Sequence, residues 1–166
     1  MEHKNQILSE DKIIRILRRI AVEIYENNLT EPQLMLVGVH DQGFKIARFI
    51  KDELHKIDQA FKVELLELHI DKSQPSDSIR VDWDTAILEG KSVILVDDVL
   101  NTSRTLAYCL QFLLATHLSK LETAVLINRS HAQFPISATY SGYELATTLD
   151  EHIKVQIEGE VGAYLY

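Results

Sequence analysis

The sequence has little of what builds disulfide or metal frameworks. Cys109 is its only cysteine, so no internal disulfide can form. Cys109 stands beside leucines on a predicted helix, which indicates a packed, unreactive thiol rather than a nucleophile. The seven histidines are scattered and lack the spacing of a structural zinc site. We therefore predict no metal site made by the protein itself.

Long apolar runs and positive charge are also scarce. No stretch approaches the about 18 consecutive apolar residues of a membrane-spanning helix, and residues 1–5 carry no apolar signal region. These absences predict a soluble, cytoplasmic protein with no membrane partner. The formal net charge of -8 argues against an extended nucleic-acid surface, because such surfaces neutralise phosphates with Lys and Arg. This net charge is still compatible with a local basic patch.

What the sequence does contain is an alternation of apolar strands and amphipathic helices. Its 166 residues, 46% of them hydrophobic, suit one domain spanning residues 1–166. Ser9 and two acids precede a helix whose apolar positions run over residues 13–24. Strands are predicted at 34–39, 61–70, 93–96 and 121–127. This order predicts an α/β fold, with a mostly parallel sheet, helices on both faces and a small hood from the N- and C-terminal segments.

The most informative stretch is residues 91–116. Four consecutive aliphatic residues at 93–96 predict a strand covered on both faces, as in parallel sheets. Asp97 and Asp98 end this run with adjacent carboxylates, and polar residues 101–105 lead into a helix. A strand, polar turn and helix in this order place carboxylates at the carboxyl edge of a sheet. They lie there beside a helix N-terminus that attracts phosphate.

This stretch has the chemical groups to hold both ends of a sugar phosphate. Hydroxyls and amides of residues 102–105 can bind the phosphate. Asp97 and Asp98 can accept hydrogen bonds from ribose hydroxyls and stabilise positive charge at the anomeric carbon. The alternative is that the acids only end a strand and Thr102 caps a helix. The added cluster of hydroxyl residues favours the functional interpretation.

The same residues resemble a known family. The run from Val96 to Thr105, Val-Asp-Asp-Val-Leu-Asn-Thr-Ser-Arg-Thr, is similar to the ribose-phosphate loop of type I phosphoribosyltransferases. The likeness is strongest to the bifunctional pyrimidine operon attenuators and uracil phosphoribosyltransferases. It extends over residues 13–28, 34–50 and 126–157, and therefore covers most of the chain.

The resemblance implies roles for four groups of residues. It implies catalysis by Asp97, Asp98 and Arg129. It implies a phosphoribosyl-binding group made of Asp97, Asp98, Leu100, Asn101, Thr102, Ser103, Arg104 and Thr105. The leaving pyrophosphate would lie at a loop, here called the pyrophosphate loop, made of Val39, His40, Asp41, Gln42 and Gly43. The nucleobase would lie near Asn128, Arg129 and His131. Magnesium (Mg2+) would arrive bound to phosphoribosyl pyrophosphate rather than at a protein site, and a homodimer is expected.

The pyrophosphate loop departs from the family's pattern. Relatives commonly carry Lys and Arg there, and their places are taken by His40, Asp41 and Gln42. Losing one charge-assisted hydrogen bond to pyrophosphate would slow the reaction about 10- to 100-fold. Either Lys45 or Arg48, about one turn further on, compensates, or both are ordinary surface residues.

One residue and one longer segment leave alternatives open. Ser103 replaces a usual glycine, so its side chain would crowd the phosphate or strain a turn of positive φ, although its hydroxyl could offset this. Residues 71–89 are polar, and they are either a lid that excludes water from the reacting centre or an ordinary connector.

One surface of the relatives contacts messenger RNA, and this chain shares few of the residues that form that surface. Arg19 matches a residue implicated there. Other positions differ from the relatives' usual residues, namely Arg18, Val22, Ala132, Ser137 and Tyr143.

Four functions follow, in order of preference. The first is transfer of ribose 5-phosphate to a nucleobase, with uracil favoured because the likeness is to the pyrimidine group. Asn101 speaks weakly against 6-oxopurines, because the enzymes for those bases resemble one another in having Asp there. The alternative is a weakly active or inactive relative that senses phosphoribosyl pyrophosphate or a nucleotide. RNA-binding attenuation is third, because the chain is acidic. A receiver-type phosphorylation domain is last, since the hydroxyl-rich turn after Asp98 fits it poorly.

Overall fold

The main sheet is built from five parallel strands. The computed structural model describes residues 5–146, 148 and 151–166. After a first strand β1 (Asn5–Ser9), the strands of the main sheet are β2 (Leu34–Val39), β3 (Val63–Leu68), β4 (Ser92–Leu100), β5 (Lys120–Asn128) and β6 (Tyr140–Glu144). They lie in the order β3-β2-β4-β5-β6, and each neighbouring pair is parallel. The expected α/β fold is confirmed.

Three helices cover both faces of this sheet: α1 (Glu10–Asn27), α2 (Gln42–Ile57) and α3 (Arg104–Leu113). Because successive strand residues point to opposite faces, β4 divides its side chains between two apolar clusters. Ile94 and Val96 pack in the cluster of α1 and α2, whereas Val93 and Leu95 pack in the cluster of α3. The central strand is therefore covered on both faces, as its unbroken apolar run predicts.

The expected hood is a small antiparallel sheet. It joins β1 to two strands near the C-terminus, β7 (Ile153–Gln156) and β8 (Gly162–Leu165), in the order β1-β8-β7. Leu8, Val155 and Ala163 extend the apolar cluster of α1 and α2 into it. Just beyond β7, the Ile157 amide donates a hydrogen bond of 3.0 Å to the Gln42 side chain. This bond ties the hood to the start of α2.

Some boundaries differ from those expected. The fourth strand continues to Leu100 instead of ending at residue 96, so both acids lie within it. Ser9 precedes α1, but its side chain makes no capping hydrogen bond.

Cys109 is fully buried, and burial raises the pKa of its thiol to about 12, which confirms the packed thiol. Among the described residues, no helix combines the length and apolar character needed to cross a membrane.

Candidate active site

Asp97 and Asp98 lie at the carboxyl end of β4, the middle strand of the main sheet. Asp97 is only 2% exposed. Burial, and then the neighbouring Asp98 carboxyl, raise the pKa of Asp97 to about 8. Asp98 is more accessible, with 17% of its side chain exposed. The pair therefore combines a buried carboxyl that holds its proton near neutral pH with a carboxyl group nearer the solvent.

A lysine from the segment after β3 reaches both acids. The Nζ atom of Lys72 lies 3.7 Å from Asp97 Oδ1 and 3.8 Å from Asp98 Oδ1. Although desolvation by burial works to lower it, the pKa of Lys72 is raised by the charges of the two acids. The acid pair is thus a place that attracts positive charge.

The turn between β4 and α3 encloses a cleft beside the acids. The cleft is lined by Lys72, Asp97 and residues 99–106. Among the described residues, none accepts a hydrogen bond from the backbone amides of Thr102, Ser103 or Thr105. Free amides at the start of α3, together with the helix dipole, make this end of the cleft suited to an anion.

Ser103 sits at the tightest point of this turn. Its φ of 69° lies in the left-handed region, where a side chain is strained and glycine is favoured. The side chain is nevertheless buried, and its hydroxyl donates a hydrogen bond of 2.9 Å to the carbonyl oxygen of Ile136. The hydroxyl is therefore engaged in a defined interaction within the protein, which offsets part of the strain.

The pyrophosphate loop meets the acid pair at the same edge of the sheet. It follows β2, and the peptide bond between His40 and Asp41 is cis. Gly43 packs against β4, since a Cβ there would lie 2.7 Å from the carbonyl oxygen of Val96 and 3.3 Å from Asp97 Oδ1. A side chain at this position would push the loop away. Glycine therefore allows the close approach of loop and acids.

The cations near this loop are paired with acids. Lys45 Nζ lies 3.2 Å from Asp41 and 3.4 Å from Glu158, and Arg48 lies 3.9 Å from Glu158. The Gln42 side chain donates to Asp41 at 2.9 Å. Neither Lys45 nor Arg48 thus offers the loop an unpaired positive charge.

His40 turns toward β3 rather than toward the acid pair. Its Nδ1 atom lies 2.6 Å from Glu67 Oε1, and its ring stacks on that of His69. Glu67 and His69 were not predicted as site residues, because they lie far from His40 in the chain. The feature that could have indicated Glu67 and His69 is the parallel pairing of β2 and β3, because the carboxyl ends of parallel neighbours meet at one edge of the sheet.

The predicted nucleobase residues divide between the surface and the interior. Arg129 is only 6% exposed, and its guanidinium donates to Asn101 Oδ1 at 2.9 Å and to the carbonyl oxygens of Thr148 and Glu151 at 2.9 and 2.7 Å. Arg129 thus ties the turn after β4 to the segment before β7. The nearby side chains of Asn128 and His131 are half-buried.

The segment at 71–89, left open as lid or connector, is partly packed into the fold. Pro75 is buried at the start of a short 3-10 helix, which contacts α3. The Trp83 indole donates to the carbonyl oxygen of Glu67 at 2.8 Å, and its ring meets Phe112 edge-on. The exposed residues 71–74 bring Lys72 to the acids. The portion of this segment that lies beside the cleft is therefore the short, exposed stretch 71–74.

The arginine that matches an RNA-contacting residue is occupied within the protein. Arg19 pairs with Glu23 at 2.6 Å and donates to the carbonyl oxygens of Ser141 and Gly142 at 3.1 and 2.7 Å. These contacts dock α1 against β6.

Comparison with known sequences agrees with this geometry. Residues 3–158 match the family described as phosphoribosyl transferase domain. The bifunctional protein PyrR of Clostridium kluyveri is 35% identical over 163 residues, covering 95% of this chain and 92% of that protein. The pyrimidine operon regulatory protein of Lactococcus lactis is 32% identical over 165 residues, covering 96% and 93%.

Solved structures show the same fold at much lower identity. A hypoxanthine-guanine phosphoribosyltransferase from Bacillus anthracis superposes with a TM-score of 0.78 at 17% identity, covering 98% of this chain and 96% of that one. The hypoxanthine phosphoribosyltransferase of Trypanosoma cruzi gives a TM-score of 0.70 at 22% identity, covering 85% and 81%. At such identities the likeness bears on the fold alone.

Proposed function

Because this chain belongs to the type I phosphoribosyltransferase family, we propose that it transfers ribose 5-phosphate from phosphoribosyl pyrophosphate to uracil and releases pyrophosphate. The observation that carries the proposal is the cleft after β4. It is lined by Asp97 and by the residues with free amides at the start of α3, and Asp98 directly follows Asp97 in the strand. Those are the groups that a phosphorylated pentose needs at its two ends.

The substrate would enter with Mg2+ and displace Lys72 from the acids. Its 5-phosphate would bind the amides of Thr102, Ser103 and Thr105. Asp97 and Asp98 would accept hydrogen bonds from the ribose hydroxyls. The incoming positive charge of the metal would favour loss of the Asp97 proton, because an added cation stabilises the ionised form of a buried carboxyl.

The transfer step makes one bond and breaks one. A ring nitrogen of the nucleobase attacks the anomeric carbon, and the bond from that carbon to the pyrophosphate oxygen breaks, with pyrophosphate keeping the electron pair. The proton of the attacking nitrogen leaves to solvent. The ionised acid pair would stabilise the positive charge that develops on the sugar.

Two observations support uracil over a 6-oxopurine. The relatives at more than 30% identity carry names that refer to pyrimidine regulation or to PyrR. Asn101, which stands where purine enzymes carry Asp, accepts a hydrogen bond from Arg129, so its side-chain oxygen is engaged within the protein.

A sensor with little turnover is the second candidate. It is favoured by the pairing of Lys45 and Arg48 with acids, which leaves both charges balanced beside the pyrophosphate loop. A leaving pyrophosphate would gain little from cations that are already neutralised. Binding of phosphoribosyl pyrophosphate would survive, while transfer would be slow.

A panel of nucleobases tests these two functions. Each base is incubated with the protein, Mg2+ and phosphoribosyl pyrophosphate, and released pyrophosphate is measured. Release that requires uracil, is lost in Asp98→Asn and is kept in Asp52→Asn supports transfer. Asp52 is the matched control, because it is an exposed acid on α2. No release with any base, despite saturable binding of phosphoribosyl pyrophosphate, would favour the sensor.

A further inference from the structure

Three side chains that bind metal ions in many proteins meet beside the pyrophosphate loop. His40 Nδ1 lies 2.6 Å from Glu67 Oε1, and His69 Nε2 lies 3.6 Å from Glu67 Oε2. The two imidazole rings stack with centroids 4.4 Å apart. One ligand atom from each of the three residues lies within 4.8 Å of the others. We call this group the His-Glu-His cluster.

The fold holds the cluster on two neighbouring strands. His40 follows β2 directly, and its amide donates to the Leu68 carbonyl oxygen at 2.8 Å. Glu67 lies at the end of β3, and His69 follows that strand. The backbone on both sides is therefore held by the sheet, so closure of the group around an ion would come from the side chains.

The backbone at Glu67 and His69 is further secured by the segment that follows. The Trp83 indole bonds to the carbonyl oxygen of Glu67, and His69 forms an isolated β-bridge with Arg80. The ligand side chains keep access to solvent, with 50%, 28% and 42% of the side chains of His40, Glu67 and His69 exposed. An ion could therefore enter from solvent, and some of its coordination positions would stay open to a further ligand.

The donor set selects the class of ion. Two imidazole nitrogens and one carboxylate suit zinc and other late first-row divalent ions, whereas Mg2+ prefers oxygen ligands. Ligand atoms bound at about 2.0–2.1 Å in a tetrahedral site lie about 3.3 Å apart. His40 Nδ1 lies 2.6 Å from Oε1 of Glu67 and His69 Nε2 lies 3.6 Å from its Oε2, whereas one ligand atom from each residue lies within 4.8 Å of the others, so the side chains must shift to reach that spacing.

We propose that His40, Glu67 and His69 bind one divalent transition-metal ion, with zinc as the representative. We propose further that its open position binds an oxygen of the leaving pyrophosphate, which rests on the proposed function. The ion would supply positive charge beside a loop whose nearby cations, Lys45 and Arg48, are paired with acids. It would thus replace the basic side chains that the loop lacks.

Zinc binding to untagged protein tests the first half without any substrate. After removal of metals with a chelator and dialysis, zinc is titrated in competition with a chromogenic chelator. The parent protein should bind one equivalent. His69→Ala and Glu67→Gln should weaken binding by more than the about 10- to 100-fold that loss of an outer-shell partner costs.

His117→Ala is the matched control, since His117 is an exposed histidine after α3, outside the cluster. It should bind zinc as the parent does. No zinc binding by the parent, or equal binding by His69→Ala and the parent, would overturn the metal site. Glu67→Gln keeps the size of the side chain, and circular dichroism would establish that each variant is folded.

Calorimetry with inorganic pyrophosphate tests the second half. The parent loaded with one equivalent of zinc should bind pyrophosphate about tenfold or more tightly than the metal-free parent, as a direct charged contact would give. His69→Ala should show no such gain. Equal affinity with and without zinc would remove pyrophosphate as the ligand while the metal site stands. Failure of uracil transfer alone would leave the zinc result untouched.

Discussion

Asp97 sets the charge balance of the cleft. The carboxyl is buried, and burial followed by the neighbouring Asp98 raises its pKa to about 8. The positive charge of Lys72, whose Nζ atom lies 3.7 Å from Asp97 Oδ1, offsets part of this rise in pKa. In the absence of substrate, the folded protein therefore keeps a proton on Asp97 near neutral pH, and a cation bound to substrate would release it.

This raised pKa makes a prediction about stability. Between about pH 4, where an unfolded aspartate titrates, and about pH 8, the folded state holds one proton more than the unfolded state. The stability contributed by the protonated group is full below pH 4 and is lost as pH rises toward 8. We expect the free energy of unfolding of the parent, relative to Asp97→Asn, to fall by at most about 1.4 kcal/mol per pH unit in this window.

Urea denaturation of both proteins at several pH values measures this difference. Asp52→Asn, an exposed acid replaced in the same way, is the control for the substitution itself. A constant difference for Asp97→Asn would mean that Asp97 is ionised throughout, contrary to the burial argument.

Ser103 offers a second test at a single residue. Its hydroxyl satisfies the carbonyl of Ile136, and its backbone is left-handed. Ser103→Ala keeps the strain and loses the hydrogen bond, so we expect a loss of about 1–2 kcal/mol in the free energy of unfolding. Ser103→Gly also loses the bond but removes left-handed strain of about 1–2 kcal/mol, so it should be nearly neutral. Urea denaturation measures both, and equal losses in the two variants would count against the role of strain.

At the scale of elements, Arg129 joins pieces that are distant in the chain. It links the turn after β4 to the carbonyls of Thr148 and Glu151 before β7. Those carbonyls and Asn101 would lose a charged donor if the guanidinium were removed. The arrangement makes Arg129 a positioning residue for the turn that we propose binds phosphate.

Arg129→Met should therefore destabilise the protein by about 2–4 kcal/mol, because it leaves several partly buried acceptors without a donor. Arg15→Met is the control, since Arg15 is exposed on α1 and makes one hydrogen bond of 3.3 Å to a backbone carbonyl within its own helix. It should change stability by less than about 0.5 kcal/mol. Similar losses in the two variants, measured by urea denaturation, would contradict the bridging role.

The elements that could be predicted are those with local signals. The strand at Leu34–Val39 has the bounds expected from its apolar run. By contrast, β1 and β6 were missed. Both are short, and β6 contains Gly142, so their strand character depends on pairing with distant partners rather than on their own residues.

The same distinction holds for the candidate site. Asp97, Asp98 and the turn after them are contiguous, so the sequence was enough to place them between one strand and one helix start, although the strand itself extends through both acids to Leu100. Lys72 and the His-Glu-His cluster are brought to this edge of the sheet by the order of parallel strands. Such convergence depends on topology, which the spacing of residues does not encode.

At the scale of the whole molecule, charge and docking argue against RNA binding. The net charge is -8, and Arg19 is used to dock α1 on β6. We predict that a pyrimidine-operon leader RNA forms no salt-sensitive complex with this protein, because counterion release requires several free Lys or Arg side chains. Fluorescence anisotropy at low ionic strength, repeated at increasing salt, measures this. A complex that weakens steeply with salt would contradict the prediction.

The central claim is that the cleft after β4 binds a phosphorylated pentose between its acids and its amides. Calorimetry with phosphoribosyl pyrophosphate and Mg2+ tests it most directly, comparing the parent with the double variant Asp97→Asn, Asp98→Asn and with the Asp52→Asn control. The account predicts saturable binding by the parent and the control and none by the folded double variant. Undiminished binding by the double variant would contradict it.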